Sequence, residues 1–364
     1  MSNFTIFLSS NEPWGDIWFS KQHFANELAL LGHQVFFLNA PQKWSFKHLF
    51  NADFRVTKIN TNLSVLDYNN PFPLRISKAF FLKLNDYWIG KQLKKLTQAQ
   101  TPVIWWQFDP FRFVHLHNFP EAKRIYHVVD PYQHIWSDIE LAKRADLLVL
   151  VSQLYQDEYP GLDKKSIYIP HGISKNELLL DELKLQEIQQ ELGEGYLIFV
   201  GTINPDVDLE LLYKIASEIT QQKLVLIGPI KTHPTDEALL EQVLAHKNVV
   251  YLGTKKATEL KEYIALASIG IVPYKNKKVE NVHRTPLKLL NYIAQSKPIV
   301  TTINYELDNL KNQIIFEAYK HEDFIAELQA ILSGQREINH PLIEAYQTSV
   351  LYTKLIQKIL QHVE

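Results

Sequence analysis

Two cations flank a proline at the most informative point of this 364-residue chain. Arg284-Thr285-Pro286-Leu287-Lys288 leads into an apolar-periodic segment that ends at Ala294, and a short apolar run, Ile269 to Val272, precedes it. Proline is tolerated in a helix's first turn because the N–H it lacks would have no partner there. The pattern therefore predicts a helix opening near Thr285, with its positive end at the C-terminal edge of a sheet, where α/β proteins hold phosphate. A diphosphate carries about two negative charges, so free N–H groups with Arg284 and Lys288 are its natural partners. Gly201-Thr202 closes another predicted strand, and a glycine there lets backbone approach a phosphate. Two carboxylates stand at predicted strand ends: Asp130 after Arg124 to Val129, and Asp109 after Val103 to Trp106. A group so placed can take the proton of an attacking hydroxyl. His127 and His134 lie beside Asp130 as further candidates.

Composition narrows the chemistry. There is no cysteine, which excludes disulfides, thiol nucleophiles and cysteine metal sites. The formal charge is −2, so general nucleic-acid binding is not expected. No metal is expected either, since the chain has no His-x-x-x-His pair beside a carboxylate. Leaving-group charge then falls to helix N–H groups, Arg284 and Lys288. No apolar run approaches the ~18–20 residues of a membrane span, and Ser2-Asn3 leads directly into an apolar strand, so a cytoplasmic chain without a signal peptide is the expectation. Charge is uneven, however. Residues 41–95 hold ten basic and three acidic side chains, mixed with Trp44, Phe46, Phe50, Phe72, Phe80, Phe81, Tyr87 and Trp88. That mixture suits an anionic membrane surface such as the inner face of the plasma membrane; it equally suits a solvated helix face with its rings in the core.

The elements that must position these residues alternate along the chain. Predicted strands are Thr5 to Ser9, Val35 to Leu38, Leu63 to Leu66, Val103 to Trp106, Arg124 to Val129, Leu147 to Val151 and Ile167 to Ile169. Helical patterns separate most of them, and Gly32 caps the first. A polar helical stretch from Ser174 to Gly195, with only scattered apolar positions, reads as the domain connection. Strands then resume at Leu197, Leu224, Val249, Ile269 and Ile299, and an amphipathic helix runs from about Pro341 to Val363. Unpatterned apolar strands alternating with helices predict two consecutive α/β domains, each with a parallel sheet buried on both faces.

Several segments together resemble the GT-B nucleotide-sugar glycosyltransferases, in the branch related to glycosyltransferase family 4. Leu31-Gly32-His33-Gln34-Val35 resembles the family's entry to its second strand, and Ala145-Asp146-Leu147 through Ser152 a later N-domain strand. Ile169-Pro170-His171-Gly172-Ile173 resembles the hinge. Phe199-Val200-Gly201-Thr202, Leu226-Ile227-Gly228-Pro229 and Val249 to Gly253 resemble the opening strands of the C-domain. Pro286, Lys288, Asn291, Tyr292, Ala294, Pro298 and Val300 match the spacing of the nucleotide motif. His283 and Asn291 stand where many retaining members carry two glutamates, Ser296 where glycine is usual, and no Arg–Lys pair follows Gly201.

The resemblance implies two Rossmann-like doubly wound domains facing a central cleft: 1–172 for the acceptor, a linker 173–194, 195–340 for the donor, and 341–364 as a helix packing back on the first domain. It implies a hexose transferred from a UDP- or GDP-sugar to a saccharide or lipid-linked acceptor in cell-envelope polysaccharide assembly, with no cofactor. A nucleotide-sugar epimerase or a non-catalytic binding subunit is the alternative. Donor contacts implied are Gly201, Thr202, Tyr251, Leu252, Gly253, Tyr274, Arg284, Thr285, Lys288 and Asn291. Asp130, Asp109 and His127 are the catalytic candidates, and Asn11, Trp14, Gly15 and His171 the acceptor or hinge candidates.

Overall fold

Runs of Ile, Leu, Val and aromatic residues without polar alternation become strands covered on both faces, and this happens twice. The computed structural model describes residues 3–16, 18–50, 53–74, 78–98, 102–275 and 286–363. It divides into two units, Met1–Pro170 with Tyr352–Glu364, and His171–Leu351.

The first unit contains β1 (Thr5–Ser9), α1 (Ser20–Leu30), β2 (Gln34–Leu38), β3 (Phe54–Lys58), β4 (Leu63–Tyr68), α2 (Lys78–Thr97), β5 (Val103–Gln107), β6 (Lys123–Val128), α3 (Trp136–Arg144), β7 (Leu147–Leu150) and β8 (Ser166–Tyr168). They form one sheet in the order β3-β4-β2-β1-β5-β6-β7-β8. All neighbours are parallel except β3 with β4. Alternate residues of β1 serve opposite faces. Ile6 and Leu8 join Phe24 and Leu28 of α1 in one core, while Phe7 packs with Trp105, Ile89 and Leu93 in the other.

The second unit contains α4 (Lys175–Leu178), α5 (Glu182–Leu192), β9 (Leu197–Val200), α6 (Leu209–Glu218), β10 (Leu224–Ile227), α7 (Glu237–Leu244), β11 (Val249–Tyr251), α8 (Leu260–Leu266), β12 (Ile269–Val272), α9 (Leu287–Ala294), β13 (Ile299–Thr301), β14 (Ile315–Glu317), α10 (His321–Leu332) and α11 (His340–Ser349). Its sheet is all parallel in the order β11-β10-β9-β12-β13-β14. Strand order reverses at β9/β12, the switch point where open sheets bind ligands. A final helix, α12 (Tyr352–Leu360), belongs to the first unit, where Leu355, Ile356 and Ile359 fill the α1 core. The Tyr352 ring stacks on His23 at 5.2 Å.

Several elements differ from the sequence expectation. The helix expected over 341–363 is two helices, because Val350 accepts a hydrogen bond from Ile173 N–H (2.9 Å) and Leu351 bridges Ile173. Residues 173–194, expected as a helical linker, do carry helices α4 and α5, but Ile188 and Leu192 are buried in the second unit's core. β3 was not expected. It is an antiparallel edge strand, four of its five residues exposed, so its sequence carries no apolar run. The helix expected near Thr285 begins at Leu287, with Pro286 extended at the cap (φ −80°, ψ 153°).

Candidate functional site

At the C-terminal edge of the second sheet, three loops are pinned by glycines. Gly201, Gly228 and Gly253 follow β9, β10 and β11 with φ of 147°, 142° and 67°. Gly201 N–H donates to Ile227 O (2.9 Å), and Gly228 N–H donates to Gly253 O (2.8 Å). A Cβ on Gly228 would come within 2.1 Å of Gly201 O, so only glycine permits this approach. The Tyr251 hydroxyl donates to Gly228 O (2.9 Å), tying a third loop to the pair. Leu252 is held by the ladder, its N–H donating to Leu226 O (3.0 Å). Thr202, next to Gly201, is half-buried.

Helix α9 delivers the cation to this edge. Tyr292 is fully buried, and its hydroxyl accepts from Val200 N–H (2.9 Å) and donates to Ile198 O (3.3 Å). Gly270 of β12 leaves room for that ring, since a Cβ there would come within 2.6 Å of it. Lys288 lies four residues earlier, on the same helix face and one turn closer to the N-terminus. Its ammonium consequently reaches Gly201, where an added Cβ would sit 2.9 Å from Nζ. It donates to the Tyr274 hydroxyl and lies over the rings of Tyr274 (4.3 Å) and Phe199 (5.3 Å). Among the described residues no carboxylate pairs with it. Burial alone lowers its pKa to about 8.

Tyr274 is itself fixed. Its N–H donates to Thr302 Oγ1 (2.8 Å), and Thr302 Oγ1 donates to Tyr274 O (2.6 Å). Asn291 is half-buried one turn into α9. The structure therefore brings Gly201, Tyr274 and Lys288 into contact and links Tyr251 and Gly253 to them through Gly228. Arg284 and Thr285, with His283, lie outside the described residues. Phe199 and Gly228 were not singled out from sequence. Their signal is positional: each stands within two residues of a glycine-terminated strand end, where side chains or backbone meet the switch point.

A sheet edge so built offers an anion what it needs: first-turn N–H groups of α9, of which Leu289 N–H is already taken by Pro286 O (3.1 Å), and a partly desolvated ammonium on an aromatic floor.

The first unit's strand ends are arranged differently. Asp109 is fully buried, accepts from Phe111 N–H (3.1 Å) and pairs with Arg112 (3.2 Å). His127 is fully buried between Phe108 and Phe24 (4.7 and 4.9 Å), and its Nδ1 accepts from Trp106 Nε1 (3.3 Å). Asp130 is half-buried in the turn after β6. Asn11 Nδ2 donates to the Tyr132 hydroxyl (3.2 Å), which joins the loop after β1 to the turn that carries Asp130. Trp14 N–H donates to Asn39 Oδ1 (2.8 Å), and Gly15 is exposed with room for a side chain. His134 is exposed, whereas His171 is buried at the start of the second unit. Among the described residues no three His, Asp or Glu side chains gather as a metal site.

Comparison with known proteins gives this geometry a context. Residues 194–334 match the family "Glycosyl transferases group 1". Over 143 residues the chain is 28% identical to TuaH of Bacillus subtilis (strain 168), assigned to teichuronic acid biosynthesis as a glycosyltransferase; the match spans 38% of this chain and 35% of that protein. The fold resembles sucrose-phosphate synthase from Thermosynechococcus elongatus (TM-score 0.68, 15% identity, 99% of this chain and 98% of that one). It also resembles Anabaena Alr3699/HepE solved with UDP-glucose (TM-score 0.67, 14% identity, 99% of each chain). The architecture is the GT-B fold.

Proposed function

We infer that this chain, with the GT-B fold and a group 1 glycosyltransferase domain in its second unit, moves a hexose from a UDP- or GDP-sugar to a saccharide or lipid-linked acceptor in cell-envelope polysaccharide assembly. The observation that carries the reading is Lys288: a half-buried ammonium with no carboxylate partner among the described residues, at a helix start, against a glycine that keeps the strand end open. Such a charge is costly unless an anion completes it. The neighbour solved with UDP-glucose and the relative assigned to teichuronic acid biosynthesis support the donor and acceptor classes respectively.

In the transfer, the bond between the sugar's anomeric carbon and the β-phosphate oxygen breaks, its electrons leaving with the diphosphate, while the acceptor hydroxyl oxygen bonds to that carbon and gives its proton to the Asp130 carboxylate. Lys288 and the first N–H groups of α9 hold the departing diphosphate, with Arg284 and Thr285 as further donors at that helix start. Tyr251 and Tyr274 flank the nucleotide, and Asn291 hydrogen-bonds its ribose. Asp130 accepts the hydrogen bond of the incoming hydroxyl. Asp109 and His127, fully committed inside the first unit's core, act as supports. No metal enters this scheme, so full activity in EDTA is expected. Aromatic residues Phe46, Phe50 and Phe80 are exposed in the basic 41–95 region, which suits docking on an anionic membrane. No helix among the described residues is long and apolar enough to cross one.

A thermal-shift screen against UDP, GDP and CDP and their sugars tests the donor class, followed by a transfer or donor-hydrolysis assay. Stabilisation by one nucleoside diphosphate with slow sugar release is the expected result. Asp130→Asn should lower turnover at least ~100-fold and leave nucleotide affinity unchanged. Binding without any turnover would instead mark a non-catalytic subunit, and release of a C2-inverted sugar an epimerase.

A further inference from the structure

The first unit carries an apolar cavity of about 230 Å³ that the donor chemistry does not use. Leu74, Leu82, Phe111, Ile135 and Trp136 line it, with His134. These residues come from the segment after β4, from α2, from the loop after β5 and from the start of α3. Two of those contributions, the loop after β5 and the turn between β6 and α3, lie at the C-terminal edge of the first sheet, on the same side as Asp130. Contact ties the cavity to that edge. The Phe111 ring meets Tyr132 edge-on at 5.0 Å, and the Tyr132 hydroxyl accepts from Asn11. The cavity wall and the presumed acceptor loop are thus joined through one side chain.

We propose that this cavity holds the end of the hydrocarbon tail of an amphipathic acceptor, so that the sugar-bearing head lies at the Asn11–Asp130–Tyr132 edge. This rests on the glycosyltransferase reading above. Size selects a tail end and excludes a whole acceptor: ligand sites usually run ~300–1,000 Å³, while an apolar cavity of ~150 Å³ already accepts benzene. Surface chemistry selects an amphipathic molecule. Phe111 and Trp136 remain 40% and 46% exposed although they wall an apolar space, and a tail would cover both. On α2, exposed Phe80 and exposed Lys83 lie three residues apart on one helix face beside Leu82, a combination suited to a chain emerging from an anionic surface. Leu82, Phe111, Ile135 and Trp136 become specificity residues for the acceptor.

The test is isothermal titration of the full chain with monomeric dodecyl phosphate and farnesyl phosphate, each below its micelle concentration. Saturable one-to-one binding is expected, weakened about tenfold by Ile135→Asp and at least threefold by Trp136→Ala, with UDP affinity unchanged in both. Trp136 is exposed, so Trp136→Ala keeps the fold even if Ile135→Asp does not; retained UDP binding verifies it. Preference for farnesyl phosphate identifies an isoprenoid carrier, and equal affinity an unbranched acyl-type chain; both support the cavity assignment. Absence of saturable binding, or wild-type affinity in Trp136→Ala and Ile135→Asp alike, overturns it. Binding to phosphatidylglycerol vesicles without binding of either monomer also overturns it, since the surface aromatics alone would then be responsible. Loss of UDP binding in the wild-type chain with tail binding intact would defeat the transferase reading and leave the cavity as a hydrocarbon site.

Discussion

Each unit holds a cation at the C-terminal edge of its sheet, Arg112 buried and Lys288 half-buried, and the two are treated in opposite ways. Arg112 in the first unit donates to Ser10 O, Leu38 O and Asn39 O (2.5, 3.2 and 2.7 Å), to the Tyr68 hydroxyl (3.1 Å) and to Asp109 (3.2 Å). Burial opposes its charge, but Asp109 and Tyr68 outweigh burial and hold its pKa above the usual arginine value. It closes the ends of β1, β2 and β4 against the loop after β5. Lys288 in the second unit has one hydroxyl and two aromatic faces, and burial pulls its pKa down to about 8. A charge paired with a carboxylate and bonded to four further oxygens of its own chain, with Nε alone of its nitrogens left without a hydrogen bond, has little left for a ligand. A charge left short of counterions is stabilised when an anion arrives. The difference separates a structural cation from a binding one without reference to any relative.

The largest effect that would test the contrast is in the first unit. Arg112→Met should cost about 3–5 kcal/mol, because Asp109 is left as an uncompensated buried carboxylate and three carbonyls lose a donor. Chemical denaturation measures it, and a loss under ~1 kcal/mol would mean that Arg112 is not the brace its contacts describe. The next effect is pH-dependent and belongs to Lys288. Its pKa in the folded chain is about 8, below the ordinary lysine value. The ammonium needed for an anion is present below pH ~8, so UDP affinity should fall as pH rises through that point, approaching tenfold per unit. Stability runs the other way. Between about 8 and the ordinary value the unfolded chain binds more protons, so stability should rise with pH across that window. Both slopes should vanish in Lys288→Met, read as the difference from wild type. The smallest effect concerns the end of the same helix. Ser296 is held at φ 52°, where glycine is cheaper by ~1–2 kcal/mol, but its hydroxyl accepts from Gln347 (3.1 Å). Ser296→Gly should therefore stabilise by no more than ~1 kcal/mol, a rise of a few degrees in Tm at most. A fall in Tm would show that the Gln347 bond dominates.

Legibility in the sequence followed the range of the interactions. Strands Thr5–Ser9, Leu197–Val200, Leu224–Ile227 and Ile269–Val272 were readable to the residue, because a parallel strand covered on both faces is an unbroken apolar run. Gly32 was readable as a cap because its φ of 94° suits glycine locally. Lys288 was readable as a cation one position inside a helix start. Its desolvation was not, because Phe199 and Tyr274 approach it across 89 and 14 residues of chain. The brace at Arg112 was invisible for the same reason: its acceptors come from residues up to 102 positions away. The break between α11 and α12 also escaped, since the apolar spacing runs through Val350 and Leu351, and what interrupts the helix is pairing with Ile173.

The central claim is that Lys288 is kept uncompensated for a diphosphate. Titration of UDP into wild type and Lys288→Met, each also melted without ligand, addresses it most directly. The account predicts a Kd raised about 10–100-fold in the variant, the loss of one charge-assisted hydrogen bond, together with an unliganded Tm equal to or above wild type. An unchanged Kd, or a Tm that drops as it should for Arg112→Met, would contradict it.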